Sequence, residues 1–220
     1  MRGLLLKKAL NLYLITCRSA GDDGGLLLAA AGEALARGAT AIQLRGKELP
    51  DRQLYALGEA LVELTRRHGA LFLVNDRVDL CLALEADGVH LGQDDLPVPV
   101  ARTLLPPERI IGLSVDNVAE ALAGERAGAD YLGAGPVYPT STKLDAGAVM
   151  GTDGLARICA AVSCPVVAIG GLGPGLAAPA LRAGAVGVTV ASAVFGAASP
   201  GGAAGALRAE LDQARAVIRR

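Results

Sequence analysis

Short apolar runs recur along this chain with longer helix-like stretches between them, and that alternation limits the fold more than any single motif does. Eight runs can be counted: Leu12–Thr16, Ala41–Leu44, Leu71–Val74, Gly88–Leu91, Ile110–Leu113, Tyr131–Gly133, Val166–Ile169 and Gly187–Val190. Strands that are apolar throughout, rather than at every second residue, are buried on both faces, as in a parallel sheet covered by its crossover helices. The clearest intervening helix is Asp51–Arg67, with Asp51 as its expected N-cap after Pro50 and with Leu54, Leu57, Leu61 and Leu64 at helical spacing. Helix ends recur as Arg37-Gly38-Ala39, Arg67-His68-Gly69, Ala127-Gly128-Ala129 and Ala183-Gly184-Ala185, each with glycine where a left-handed cap precedes the next strand. Eight β/α units without a linker predict one α/β domain over residues 1–220, a closed (β/α)8 TIM barrel. An open doubly wound sheet is the structural alternative.

Composition narrows the function classes. With 52% hydrophobic and 20% charged residues the chain has ample material for a large core, which rules out global disorder. The formal net charge of −1 provides no basic field for nucleic acid, and stacking residues are scarce, with no Trp, two Phe and four Tyr. Cys17, Cys81, Cys159 and Cys164 form no CxxC pair, and neither His68 nor His90 stands at zinc-finger spacing from them, so a reduced, cytoplasmic setting is expected. Leu4-Leu5-Leu6 before Lys7-Lys8 is too short for a signal-peptide core. No charge occurs from Ala183 to Leu207, a length that could span a bilayer. Its glycines, Pro200, Thr189, Ser192 and Ser199 instead predict a buried strand, a tight loop and a helix start, with no membrane contact.

In such a barrel the working residues lie at the C-terminal ends of the strands. After the second run, alternation points Gln43, Arg45 and Lys47 the same way; a guanidinium suits bidentate phosphate binding and an ammonium adds a point charge. After the third and fourth runs come Asn75-Asp76-Arg77 and His90-Leu91-Gly92-Gln93-Asp94-Asp95. Asp76 with Asp94 or Asp95 could hold Mg2+, which takes oxygen ligands and bridges substrate phosphates. Asp76 and Asp95 also read as N-caps of the helices that follow, a role compatible with the first because a cap side chain sits at the mouth. His90, inside an apolar strand, reads first as a packing residue and second as an acid/base, and His68 as structural.

The fifth run leads to Ser114, and the sixth into Gly135-Pro136-Val137-Tyr138-Pro139-Thr140-Ser141-Thr142-Lys143, a stiff loop carrying hydroxyls and one cation. The seventh ends in Gly170-Gly171 and the eighth in Ala191-Ser192, in a region whose only charge between Ile158 and Leu207 is Arg182. Glycine there permits a phosphate to meet backbone N–H groups, or permits close backbone packing. Two anion sites are therefore expected: one cationic and metal-assisted near the second to fourth strands, one neutral and glycine-based at the seventh and eighth. No Ser or Cys nucleophile with a partnered His is visible, which disfavours covalent hydrolysis, and nothing in sequence near Cys17 would lower its pKa.

In order along the chain, Gln43-Leu44-Arg45 with Lys47, Asn75-Asp76-Arg77, Gly88-Val89-His90-Leu91-Gly92-Gln93 with Asp95, Ile111-Gly112 with Ser114, Gly128-Ala129-Asp130-Tyr131, Gly135-Pro136, Thr140 with Thr142-Lys143, and Ile169-Gly170-Gly171 resemble the thiamine phosphate synthase family. The resemblance implies a transferase that joins 4-amino-2-methyl-5-(diphosphooxymethyl)pyrimidine to a thiazole phosphate, or its carboxylated form, and releases pyrophosphate with Mg2+ as cofactor. It further implies that Gln43, Arg45, Lys47, Asn75, Ser114 and Lys143 contact the pyrimidine diphosphate, with Arg45, Lys47, Ser114 and Lys143 catalytic. By the same resemblance Asp76 and Asp95 carry the Mg2+, and Thr140, Ser141, Thr142, Gly171, Ala191 and Ser192 hold the thiazole phosphate. The expected partners are two phosphorylated small molecules, and a homo-oligomer is compatible with the sequence. Three positions depart from the family: Cys17 and Gly46 stand where acidic residues are common, and Leu172-Gly173-Pro174-Gly175 lacks the usual Asn after Gly-Gly. The alternatives are a thiazole tautomerase, a non-catalytic phosphate-binding barrel and a Schiff-base aldolase.

Overall fold

The structure, a computed structural model, describes residues 2–17, 24–140 and 147–218. The elements alternate as α1 (Arg2–Ala9), β1 (Leu12–Ile15), α2 (Gly25–Ala36), β2 (Ala41–Leu44), α3 (Asp51–His68), β3 (Leu71–Asn75), α4 (Val78–Ala83), β4 (Gly88–Leu91) and α5 (Val98–Leu104). They continue as β5 (Ile110–Val115), α6 (Val118–Arg126), β6 (Tyr131–Ala134), α7 (Gly151–Ala161), β7 (Val166–Ile169), α8 (Ala177–Arg182), β8 (Gly187–Val190), α9 (Ser192–Phe195) and α10 (Pro200–Ile218). The strands pair in parallel in chain order, and β8 returns to β1 to close the barrel. The closed (β/α)8 architecture is thus present and the open doubly wound sheet is not.

Each expected strand is found. β3, β5 and β6 run one or two residues further than their apolar stretches, to Asn75, Val115 and Ala134, while β1 stops one residue earlier, at Ile15. Asn75 of β3 and Ser114 of β5 are polar, so in these two strands the continuous apolar run ends before the hydrogen-bonded ladder does. Gly38, Gly69, Gly128 and Gly184 all take positive φ at the expected helix ends.

Two apolar layers hold the barrel. The larger lies between strands and helices, where Leu12, Leu14, Ile42, Leu44 and Val74 meet Leu27, Leu35, Leu57 and Leu61. The smaller fills the barrel interior with Tyr13, Ala41, Leu73, Tyr131 and Val167, and Leu6 and Leu10 from the chain start pack against it. Leu6 of α1 and Leu10 of the turn after it thus pack on the interior layer, while Leu5 is exposed.

Two sequence expectations need correction. Asp51 is not an N-cap: Pro50 occupies that position, and the Asp51 carboxylate instead accepts from Arg77 Nη1 and Nη2 at 2.7 and 3.2 Å. Asp76 and Asp95 are not caps either, because Arg77 flanks α4 and Pro97 flanks α5. A charge-assisted partner outbids a helix N–H for Asp51, and extra loop residues separate the other two from their helices. The uncharged stretch 183–207 resolves into β8, α9 and the start of α10, and among the described residues no helix is long and apolar enough to cross a membrane.

Candidate active site

Barrel closure brings the strand ends around one cavity of about 1160 Å3, including space open to solvent. Gln43, Arg45 and Lys47 line it from β2 and its loop, Asn75 and Asp76 from β3, and Asp95 and Ser114 from β4 and β5. Thr140, Gly171, Ala191 and Ser192 line it from the β6, β7 and β8 side. Of the two aspartates offered as partner to Asp76, Asp95 lines this space and Asp94 does not; the other selected residues that the structure describes face it. Ser141, Thr142 and Lys143 lie outside the described residues.

The β2 to β4 side is charged. Lys47 Nζ lies 3.5 Å from Asp76 Oδ2. Burial pushes the Asp76 carboxyl up to about 6, the neighbouring Asp95 pushes the same way, and Lys47 opposes both. Asp76 has φ 62, a left-handed backbone that costs a non-glycine residue energy and that turns its carboxyl toward the cavity rather than onto α4. Asp95 is fixed from the other side, where its Oδ2 accepts from Gly92 N–H at 2.6 Å. Arg45 is pinned through its backbone: its N–H donates to Thr16 Oγ1 at 2.8 Å, and that hydroxyl donates to Arg45 O at 3.0 Å. Thr16 was not singled out in the sequence, although it ends the first apolar run. Arg77 turns outward, joining Asp51 and Asp79 at 2.7 and 2.6 Å, and is not a cavity residue.

Cys17 stays a thiol, since burial raises its pKa against the pull of Arg45. The mouth therefore holds no activated sulfur nucleophile at this position.

His90 is buried and faces the cavity floor, with Nδ1 2.8 Å from the Tyr131 hydroxyl and Nε2 3.0 Å from Ser114 Oγ. It is the hydrogen-bonded core histidine of the first reading, yet one of its partners is a cavity residue. Sequence reasoning misses Tyr13, Tyr131 and Asp116: the two tyrosines lie buried beneath the cavity, bonded to Gln43 and His90, and Asp116 lines its wall. A tyrosine inside an otherwise apolar run was the available signal, because a buried hydroxyl needs a partner.

The β7 and β8 side is neutral. Gly170 and Gly171 have φ 92 and 65, and a Cβ on Gly171 would lie 2.5 Å from Pro139 O. Close packing against the β6 loop therefore requires glycine here whatever binds, and the same lack of side chains leaves backbone exposed to a ligand. The divergent Gly173-Pro174-Gly175 loop is held from α10, where Glu210 accepts from Gly175 and Ala178 N–H at 2.7 and 2.8 Å.

Comparison with known proteins agrees with this geometry. A family model described as thiamine monophosphate synthase matches residues 12–194. A thiamine-phosphate synthase of Moorella thermoacetica is 53% identical over 205 residues, covering 93% of this chain and 97% of that one. One from Pyrococcus furiosus is 49% identical over 192 residues, covering 87% and 90%. Among solved structures, a thiamine phosphate pyrophosphorylase from Pyrococcus furiosus matches with a TM-score of 0.86 and 44% identity, covering 95% of this chain and 98% of that one. A 3-hexulose-6-phosphate synthase, at TM-score 0.67 and 18% identity, shares the fold alone.

Proposed function

The chain belongs to the thiamine monophosphate synthase family, and from that premise we propose how its cavity joins a pyrimidinylmethyl diphosphate to a thiazole phosphate. The activity is thiamine-phosphate synthesis, an alkyl transfer. What supports the residue assignment most is convergence: cations and paired carboxylates line one side of the cavity, and neutral glycine-rich loops line the other.

The pyrimidine diphosphate lies on the β2 to β5 side, where Gln43, Asn75 and Ser114 orient it and Arg45 and Lys47 face the diphosphate. The bond between the methylene carbon and the diphosphate oxygen breaks, and its electron pair leaves with the oxygen. Arg45 and Lys47 stabilise the charge that accumulates there, joined by Lys143, whose role follows from the family resemblance. The aminopyrimidine delocalises the positive charge left on the methylene. The thiazole nitrogen lone pair then forms the new C–N bond, so no general base is required and orientation carries much of the acceleration. Thr140, Ser141, Thr142, Gly171, Ala191 and Ser192 hold the thiazole phosphate, which remains attached.

Asp76 and Asp95 fit a divalent cation: the two carboxylates lie close enough that Asp95 helps to push the Asp76 pKa up, a repulsion that Mg2+ between them would relieve. Among the described residues no third His, Cys, Asp or Glu joins them; Mg2+ is commonly bound by one or two carboxylates together with water and substrate oxygens. When bound, Mg2+ would neutralise charge on the departing diphosphate. We read residues 1–220 as one working barrel domain acting in the cytoplasm on two phosphorylated small molecules.

The test is to mix purified protein with both substrates and Mg2+ and to measure thiamine phosphate and pyrophosphate, with a metal-free control. Equal formation of both products, lost without metal, is expected. Turnover unaffected by EDTA, or no pyrophosphate, would overturn the reading.

A further inference from the structure

Five side chains from five strands form one hydrogen-bonded chain, in which Gln43, His90 and Ser114 line the cavity and Tyr13 and Tyr131 lie buried beneath it. Gln43 Nε2 donates to the Tyr13 hydroxyl, which lies 3.0 Å from the Tyr131 hydroxyl. Tyr131 lies 2.8 Å from His90 Nδ1, and His90 Nε2 lies 3.0 Å from Ser114 Oγ. Strand register makes the meeting of His90 and Tyr131 feasible. Gly112 pairs with His90 on one side and Tyr131 on the other, so the two side chains meet over a residue that has none. A Cβ on Gly112 would collide with the Tyr131 ring and lie 2.5 Å from His90 Nδ1.

Proton counting gives this chain a direction. The Tyr13–Tyr131 and Tyr131–His90 contacts each admit either donor, and the arrangement that leaves no buried hydroxyl proton without an acceptor has Tyr13, which accepts from Gln43, giving its proton to Tyr131. Tyr131, already accepting, gives its own proton to His90 Nδ1. A neutral imidazole that accepts at Nδ1 carries its proton on Nε2 and donates it to Ser114 Oγ. Burial holds both tyrosines well above the ordinary phenol range, so neither hydroxyl gives up its proton at neutral pH. Two groups are left over for a ligand. Ser114 Oγ has its own proton to donate, and Gln43 Oε1, in a residue only 1% exposed, has no partner among the described residues. Both residues line the cavity.

We infer that Tyr13, Tyr131 and His90 are positioning residues that fix a donor–acceptor code for an aminopyrimidine ring, with Gln43 Oε1 accepting from the exocyclic N–H and the Ser114 hydroxyl donating to a ligand lone pair. Replacing the amino group by an oxo group inverts donor and acceptor along that edge of the ring, so a carbonyl would face the Gln43 carbonyl in a buried site. Such mismatches are rejected strongly because they leave polar groups unpaired. Tyr131 is the linchpin. Without its hydroxyl the Tyr13 proton can turn to Gln43 Oε1, the amide can flip to present its NH2, and His90 loses the donor that sets its tautomer.

The inference rests on the reading above that this side of the cavity takes the pyrimidine diphosphate. The experiment compares kcat/KM for the 4-amino substrate and its 4-oxo counterpart in the wild type, Tyr131→Phe and Tyr13→Phe. The wild type should prefer the amino ring by at least about 100-fold. Either variant should lower that preference at least about tenfold while KM for thiazole phosphate stays within about twofold. Tyr13→Phe reads the same coupling if Tyr131→Phe fails to fold. An unchanged preference in the folded variants overturns the inference and leaves the proposed function standing, as does a loss of preference that travels with a loss of thiazole affinity. A wild type that makes no thiamine phosphate from the amino substrate overturns both.

Discussion

Lys47 Nζ stands 3.5 Å from Asp76 Oδ2, so one ammonium serves both the carboxylate pair and the space where a diphosphate is proposed to sit. Removing it takes a cation from the leaving group and removes the counter-charge that holds the Asp76 pKa down. Lys47→Ala should lower kcat/KM for the pyrimidine diphosphate by about 100-fold to 1,000-fold. KM for thiazole phosphate should hold within about twofold, since that substrate is assigned to the neutral side. Steady-state kinetics with each substrate varied in turn checks both numbers.

Asp76 costs the metal-free protein stability. Its carboxyl titrates near 6 in the fold against an ordinary 3.8, so between those values the folded chain keeps a proton that the unfolded chain releases. Stability of the metal-free protein therefore falls as pH rises through that window, and above it the full cost remains. Asp76→Asn should melt about 2–4 °C higher than the wild type near pH 7.5, the shift expected for about 1 kcal/mol in a chain of this size. The gain should vanish near pH 3.5, and thermal scans at the two pH values decide it. An equal gain at both would show that charge is not the cause.

Arg77 belongs to the motif Asn75-Asp76-Arg77, yet its guanidinium bridges Asp51 and Asp79 on the outside of the barrel. Arg77→Ala should leave kcat and both KM values within about twofold and cost no more than about 1 kcal/mol of unfolding free energy, as exposed pairs do. Denaturant unfolding alongside kinetics separates this residue from its two neighbours.

Gly171 combines φ 65 with a close approach to Pro139 O. Gly171→Ala should cost about 1–3 kcal/mol in stability, through backbone strain and displacement of the β6 loop. KM for thiazole phosphate should rise more than KM for the pyrimidine diphosphate. A variant that loses stability but keeps both KM values would assign the glycine to packing alone.

The barrel was legible because parallel strands buried on both faces leave continuous apolar runs, and because glycine marks the helix ends before them. The mouth residues followed from one rule, that strand C-termini carry the site. The aspartate caps were misread because local sequence does not show that Arg77 reaches Asp51, 26 positions away. The floor was harder still. Tyr13 and Tyr131 are 118 positions apart and meet only because the barrel closes, and the direction of their hydrogen bonds depends on Gln43 and His90 from two further strands. No local pattern carries such information, whereas Gly112 becomes meaningful once the register of β4, β5 and β6 is known.

One cavity is proposed to hold two anions by different physics, metal and cations for the diphosphate that leaves, neutral loops for the phosphate that stays. Calorimetric titration of each substrate separately, with Mg2+ and then with EDTA, tests it most directly. The account predicts that EDTA weakens binding of the pyrimidine diphosphate at least about tenfold, and leaves thiazole phosphate binding within about twofold. Equal losses for both substrates, or no loss for either, would contradict it.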